Sequence, residues 1–158
     1  MLSIVVIFTV RLLLVLLFLP FSALDKILNF RQAIDQAEQA VSARAPASLL
    51  VVGGLGIEIV MSLAILTGVG DRLAAFVLAT YCIVTALLWK QFWKGKDFRL
   101  RGQGLGRDVF WDFLKNLALA GGFLLLAVGT NSASLDQFLA HPFASSHPYA
   151  VAHHGERN

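Results

Sequence analysis

The chain has 158 residues, a formal net charge of +3, 57% hydrophobic residues and only 15% charged ones, with a mean hydropathy of +0.70. Soluble domains run at about 45–50% apolar and about 25% charged residues, so the composition excludes an ordinary soluble domain and, for the bulk of the chain, intrinsic disorder. The single cysteine, Cys82, can neither close a disulfide within the chain nor build a Cys-based zinc site.

In chain order, the first apolar stretch is 2–24, interrupted by Arg11 and Pro20. It is long enough to span a bilayer, which takes about 20 residues. A cleaved signal peptide would place basic residues before the apolar run and small residues at the cleavage site. Arg11 lies inside the run, so a retained span is expected. The second stretch, 47–66, follows Pro46, a residue suited to a first helical turn, and carries Glu58. The third, 73–89, has no formal charge, and the fourth, 113–128, begins with Lys115 and Asn116. The expected fold is therefore all-α, a four-helix transmembrane bundle over 1–130 followed by a polar C-terminal tail, 131–158. An even number of spans puts both termini on one side.

The connections differ in kind. TGVGDR (67–72) is a tight turn with two glycines, making the second and third spans an antiparallel hairpin. Between the first two spans, Ile27, Phe30, Ile34, Ala37 and Val41 recur at three- and four-residue steps, with Arg31, Gln32, Asp35, Glu38 and Gln39 elsewhere. That pattern predicts an amphipathic helix within 27–44, lying along the interface or capping the bundle. The loop 90–112 holds Lys90, Lys94, Lys96, Arg99, Arg101 and Arg107, broken by Gly95, Gly102, Gly104 and Gly106. No GxxxxGK[ST] is present and no strand precedes it, so nucleotide binding is not expected. Trp89, Phe92, Trp93 and Trp111 fit interfacial anchors. The two long connections carry nine basic residues, counting Lys26, Arg31 and Arg44; Arg72 and Arg157 make two on the other side. Positive charge concentrates in cytoplasmic loops, so both termini are expected outside, in the periplasm of a bacterium. The tail holds His141, His147, His153 and His154 at spacings that match no metal motif, and a mobile tail is expected. No haem or metal site and no nucleic-acid partner are expected.

Ionisable residues at membrane depth are costly and mark functional sites by default. Counting inward from the outer side at about 1.5 Å per residue, Arg11 and Glu58 both fall about 12 Å deep and Tyr81 about 13 Å. Gly121 and Gly122 reach a similar level. This layer is the candidate ligand site: Arg11, Glu58, Tyr81, Gly121 and Gly122. Pairing Arg11 with Glu58 is the cheapest resolution of their charges, with Tyr81 close by. A second cluster, Asp25, Lys26, Lys115 and Asn116 with Asp112, is expected at the cytoplasmic face, where snorkelling and helix capping account for it.

Three segments resemble the DoxX family of bacterial membrane proteins. They are RLLLVLLFLPFSALDKILNF (11–30), GGLGIEIVMSLAILTGVGDRLAAFVLA (53–79) and FLKNLALAGGFLLLA (113–127). The chain departs from the pattern at Pro20-Phe21-Ser22-Ala23, where a glycine is expected before the Asp-Lys. The resemblance implies a four-helix bundle in the bacterial inner membrane. Some relatives are membrane subunits of sulfur-oxidising, quinone-reducing systems or associate with oxidative-stress complexes. It thus implies a quinone as ligand, held by Arg11, Glu58 and Tyr81, and a soluble redox partner. A structural or assembly subunit without chemistry of its own, and a small lipid or metabolite carrier, are the competing functions. Catalytic activity and oligomeric state are left open.

Overall fold

A computed structural model describes residues 2–38, 41, 43–95, 98–101 and 103–150. Gln39, Lys96, Gly102, His153, His154 and Arg157, which entered the sequence reading, lie outside the described residues. The described residues form helices α1 (Leu2–Val15), α2 (Ala23–Leu28), α3 (Phe30–Glu38), α4 (Arg44–Thr67), α5 (Asp71–Trp89), α6 (Leu105–Val128) and α7 (Ser132–Ala140). Four stretches are long and apolar enough to cross a membrane: Leu2–Leu28, Arg44–Thr67, Asp71–Lys94 and Leu105–Val128. The expected all-α fold with four spans and a helix between the first two is therefore present.

The first span is not one helix. Between α1 and α2 the chain follows a wide-turned segment, Leu17–Ser22, with Leu19 in an extended conformation (φ −121°, ψ 112°) and a cis Leu19–Pro20 peptide. Pro20 has no N–H to give to the helical ladder, so the helix cannot run through it unbroken. The break re-aims α2, and this decides where Lys26 points.

The core follows from small residues. Ala74, Ala75, Ala79, Cys82 and Ala86 are all buried along α5, and small side chains let membrane helices approach closely. Around them pack Val15, Phe18, Ile65, Leu78, Ala120 and Phe123. Large apolar residues such as Leu13, Val60, Leu63 and Leu125 point outward, as a lipid-facing surface requires. A smaller core lies beneath α3, where Ile34 and Ala37 pack with Ala47 and Val51 of α4. Only this part of the predicted stripe is buried: Ile27 and Phe30 are exposed and Val41 is half-buried. Trp89 Nε1 donates to the Gln36 carbonyl at 3.1 Å, tying α3 to the end of α5. Phe92 stands at the centre of a ring cluster with Trp93, Phe98, Phe110 and Phe113, at centroid distances of 5.0–5.5 Å.

The segment after α6 corrects the expectation of a mobile tail. Asn131 caps α7 by accepting the Ser134 N–H at 2.8 Å, and Phe138 packs against Phe76. Beyond α7 the chain crosses the α4–α5 turn as a strap. Gly70 N–H donates to Ser145 Oγ (2.9 Å) and Tyr149 Oη to the Leu66 carbonyl (2.5 Å). Polar contacts of this kind were invisible to a composition argument, which registered only prolines and histidines. His141 and His147 belong to this stretch, and the described residues contain no group of metal ligands.

Gly68 and Gly70 both have positive φ, 78° and 59°. A Cβ on Gly68 would come 2.7 Å from Pro148 Cδ, whereas one on Gly70 would meet open space. Both alanine variants carry the left-handed penalty of about 1–2 kcal/mol. Gly68→Ala also has to displace the strap. It should therefore lower thermal stability in detergent more than Gly70→Ala and speed proteolysis near Pro148. Equal effects of the two variants contradict the docked strap.

Candidate functional site

The structure places two ion pairs in the bundle where one was expected. Arg11 does not meet Glu58. Its Nη2 lies 2.6 Å from Asp71 Oδ2, and Nη1 donates to the Ile65 carbonyl at 2.6 Å. Arg11 is 4% exposed and Asp71 fully buried. Ser146 of the strap completes the cluster. Its N–H donates to Asp71 Oδ1 (2.8 Å), its hydroxyl to Asp71 Oδ2 (2.5 Å), and its Oγ accepts from Arg11 Nη2 (2.9 Å).

Arg11 and Glu58 lie at different levels of the bundle for a geometric reason. Residues 2–10 of α1 are unburied, and Arg11 is the first buried residue. The helix therefore projects beyond the α4–α5 turn, and Arg11 sits level with that turn. Equal distance from the start of an apolar run did not mean equal level in the bundle. Asp71 was read as a turn residue, although it opens α5. A carboxylate directly after a glycine turn, across from an arginine, was the available signal.

Glu58, 1% exposed, is partnered from the other end of the bundle. Lys26 Nζ lies 2.6 Å from Glu58 Oε1. Tyr81 Oη donates to the same oxygen at 2.9 Å, as proximity of Tyr81 had suggested, and Ser22 Oγ donates at 3.1 Å. Lys26 also donates to Ser22 Oγ at 2.7 Å. The break at Leu19–Pro20 sets Ser22 and Lys26, one helical turn apart, on the side facing α4. Lys26, assigned from sequence to a snorkelling cluster at the cytoplasmic face, instead turns inward. Gly54, one turn before Glu58, leaves room for the phenol: a Cβ there would stand 3.0 Å from Tyr81 Oη.

Glu58 and Tyr81 form the floor of a chamber of about 470 Å³, inside the range of about 300–1,000 Å³ typical of small-molecule sites. Its walls include Phe18, Val51 and Trp89, and its rim carries Asp25, Asn29, Gln32, Gln36, Lys90 and Asn116. The two sequence clusters thus merge in part. Glu58 and Tyr81 share the chamber with Asp25, Lys26 and Asn116, while Arg11, Gly121, Gly122 and Lys115 do not line it. Gly122 instead admits Leu14, which a Cβ would meet at 3.0 Å, and Gly121 meets nothing. Lys115 is an exposed partner of Asp112 at 3.3 Å, and Lys90 holds the same carboxylate at 3.2 Å. Asn116 Nδ2 donates to the Asp112 carbonyl, and Asp25 accepts from Asn29.

The sequence model of the DoxX family matches residues 6–91, more than half of the chain. The chain belongs to the DoxX family. No curated protein and no solved structure matches it. In this DoxX protein the matched region holds both members of each buried ion pair, Arg11 with Asp71 and Lys26 with Glu58, and the Tyr81 phenol.

The two pairs differ in one chemical respect. Both Asp71 oxygens accept hydrogen bonds. Glu58 Oε1 takes three donors, yet its Oε2 is buried without a partner among the described residues. Buried polar atoms are almost always satisfied; the Asp71 carboxylate meets that rule at both oxygens, and the Glu58 carboxylate has an acceptor to spare.

Removing one member of a buried ion pair costs about 3–5 kcal/mol, because the other charge is stranded, whereas replacing both with apolar residues costs far less. Arg11→Leu and Asp71→Leu should each lower unfolding stability in detergent by that amount, and the double variant should recover most of it. The pairing assigned here is contradicted if Arg11→Leu is rescued by Glu58→Leu and not by Asp71→Leu.

Proposed function

We propose that this DoxX-family protein is the membrane subunit of a quinone-linked redox system and holds a lipid-soluble head group in the Glu58 chamber. One observation carries the reading: a chamber of small-molecule size lined by Lys26, Tyr81 and Glu58, the last with its Oε2 buried and unpartnered among the described residues. An ionisable residue within a span is retained at a cost of about 2.5–3.5 kcal/mol or more when unpaired. A neutral pair with every oxygen occupied would suffice for packing. The remaining acceptor in a chamber points to a ligand. Apolar walls beside a polar floor suit a ring with oxygen substituents and an apolar chain. The Arg11–Asp71–Ser146 cluster serves as scaffold, since its groups satisfy one another.

The excess of basic residues in the connections on the chamber's side supports the α2–α3 end as cytoplasmic, with both termini periplasmic. A soluble redox partner would then meet the bundle at the chamber's rim. Alkaline phosphatase fused at the C-terminus should be active in a bacterial host. An inactive fusion, with an active cytoplasmic reporter at the same position, reverses the orientation.

The ligand is tested by purifying the protein from native membranes and quantifying extracted quinone per chain. Wild type should retain a near-stoichiometric amount, counted as quinone plus hydroquinone. The Lys26→Met/Glu58→Leu double variant, which removes both charges together, should fold and retain little. A folded wild-type protein carrying neither quinone nor hydroquinone, even after incubation with both, defeats the proposal.

A further inference from the structure

We infer that the chamber selects a head group that donates a hydrogen bond, a hydroxyl of the phenol or alcohol class, and that Glu58 Oε2 receives it; this rests on the ligand site proposed above. The argument is a count of protons and lone pairs at the floor. The single Tyr81 hydroxyl proton goes to Glu58 Oε1, as does the single Ser22 hydroxyl proton. Of the three Lys26 ammonium protons, one goes to Oε1 and one to Ser22 Oγ. One donor proton of Lys26 is therefore all that the floor has left to give. On the acceptor side, Oε2 is buried and unpartnered among the described residues, so a ligand hydroxyl reaches it by displacing a neighbouring side chain. An ionised carboxylate offers acceptor sites only.

Charge narrows the class further. Glu58 and Lys26 cancel each other at 2.6 Å. A cationic head would add an uncompensated charge at a buried position, which is costly. A carboxylate or phosphate would set its own lone pairs against Oε2. A ketone oxygen has the same defect without the charge. A neutral hydroxyl meets every condition: it gives its proton to Oε2, and its oxygen can accept the remaining Lys26 proton. Of a quinone and its hydroquinone, the rule favours the hydroquinone. Hydrogen bonds to a charged partner are stronger than neutral ones, so the preference should be large.

Two chain-matched probes test this in nanodiscs, with partition into protein-free discs subtracted: a para-alkylphenol, which donates, and the corresponding alkyl aryl ketone, which only accepts. Wild type should bind the phenol about tenfold more tightly, the scale set by one hydrogen bond to a charged group. Glu58→Gln keeps one oxygen for Tyr81 and Ser22 and turns the free acceptor into an amide N–H donor. The preference should therefore invert toward the ketone. Lys26→Met/Glu58→Gln keeps the floor neutral and should show the same inversion, which covers the case in which the single variant fails to fold. Equal binding of both probes to wild type, or a phenol preference unchanged in the folded variants, overturns the donor rule while leaving a ligand site standing. Binding of neither probe overturns both.

Discussion

A carboxylate buried in the middle of an apolar helix is the constraint on which the rest of this structure depends. Glu58 cannot remain charged in a bilayer without a counter-ion, and Arg11 is committed elsewhere, to Asp71 and the Ile65 carbonyl. The counter-ion has to come from the other end of the bundle. The break in the first span supplies it. With Leu19 extended and Pro20 outside the ladder, α2 starts on a new course that carries Ser22 and Lys26 to Glu58. After a second break at Asn29, Ile34 and Ala37 of α3 pack against α4, and Trp89 holds the Gln36 carbonyl.

The two buried pairs divide the bundle into a closed end and an open one. At the closed end the strap adds Ser146 to Arg11 and Asp71, where both Asp71 oxygens accept and Nη1 and Nη2 of Arg11 both donate. Such a cluster fixes register between α1, α4 and α5 and has nothing left for a ligand. At the open end the donors converge on one oxygen of Glu58 and leave the other free. Ser62, one turn further along α4 toward Ile65 and outside the chamber lining, is also buried with an unpartnered hydroxyl among the described residues, and Arg72 Nε beside Asp71 is likewise buried and unpartnered among them. The proposed ligand site lies at the end whose carboxylate keeps an unpartnered oxygen among the described residues, and the proposed scaffold at the end whose carboxylate is bonded at both oxygens.

Much of the fold was legible because hydrophobic runs and turn residues report it directly. The four spans, the Gly68–Gly70 turn and the helix between the first two spans all rest on such signals. Glu58 and Tyr81 were also placed together by counting helical rise within the hairpin, where the turn fixes the register. The pairing of Arg11 was not legible in the same way, because α1 and α4 are joined by a long connection that sets no register. The inward turn of Lys26 depends on backbone angles at Leu19 that no periodicity reveals. The strap depends on serine and tyrosine contacts to backbone groups of a distant turn. Local pattern therefore gave the helices, while the partners of the charged residues were set by the level at which those helices meet.

The central claim is that Glu58 is held by Lys26 and that Arg11 belongs to a different site. Rotational-echo double-resonance solid-state NMR on the protein in lipid bilayers tests this directly, with ¹³C in glutamate carboxylates and ¹⁵N in lysine side chains or, separately, in arginine guanidinium groups. The Glu58 carboxylate signal, assigned by its loss in a Glu58→Gln sample, should be strongly dephased by lysine nitrogen. That dephasing should vanish in a Lys26→Met sample, and arginine label should have no effect. Dephasing of Glu58 by arginine nitrogen, with none from lysine, would show one Arg11–Glu58 pair and contradict the account.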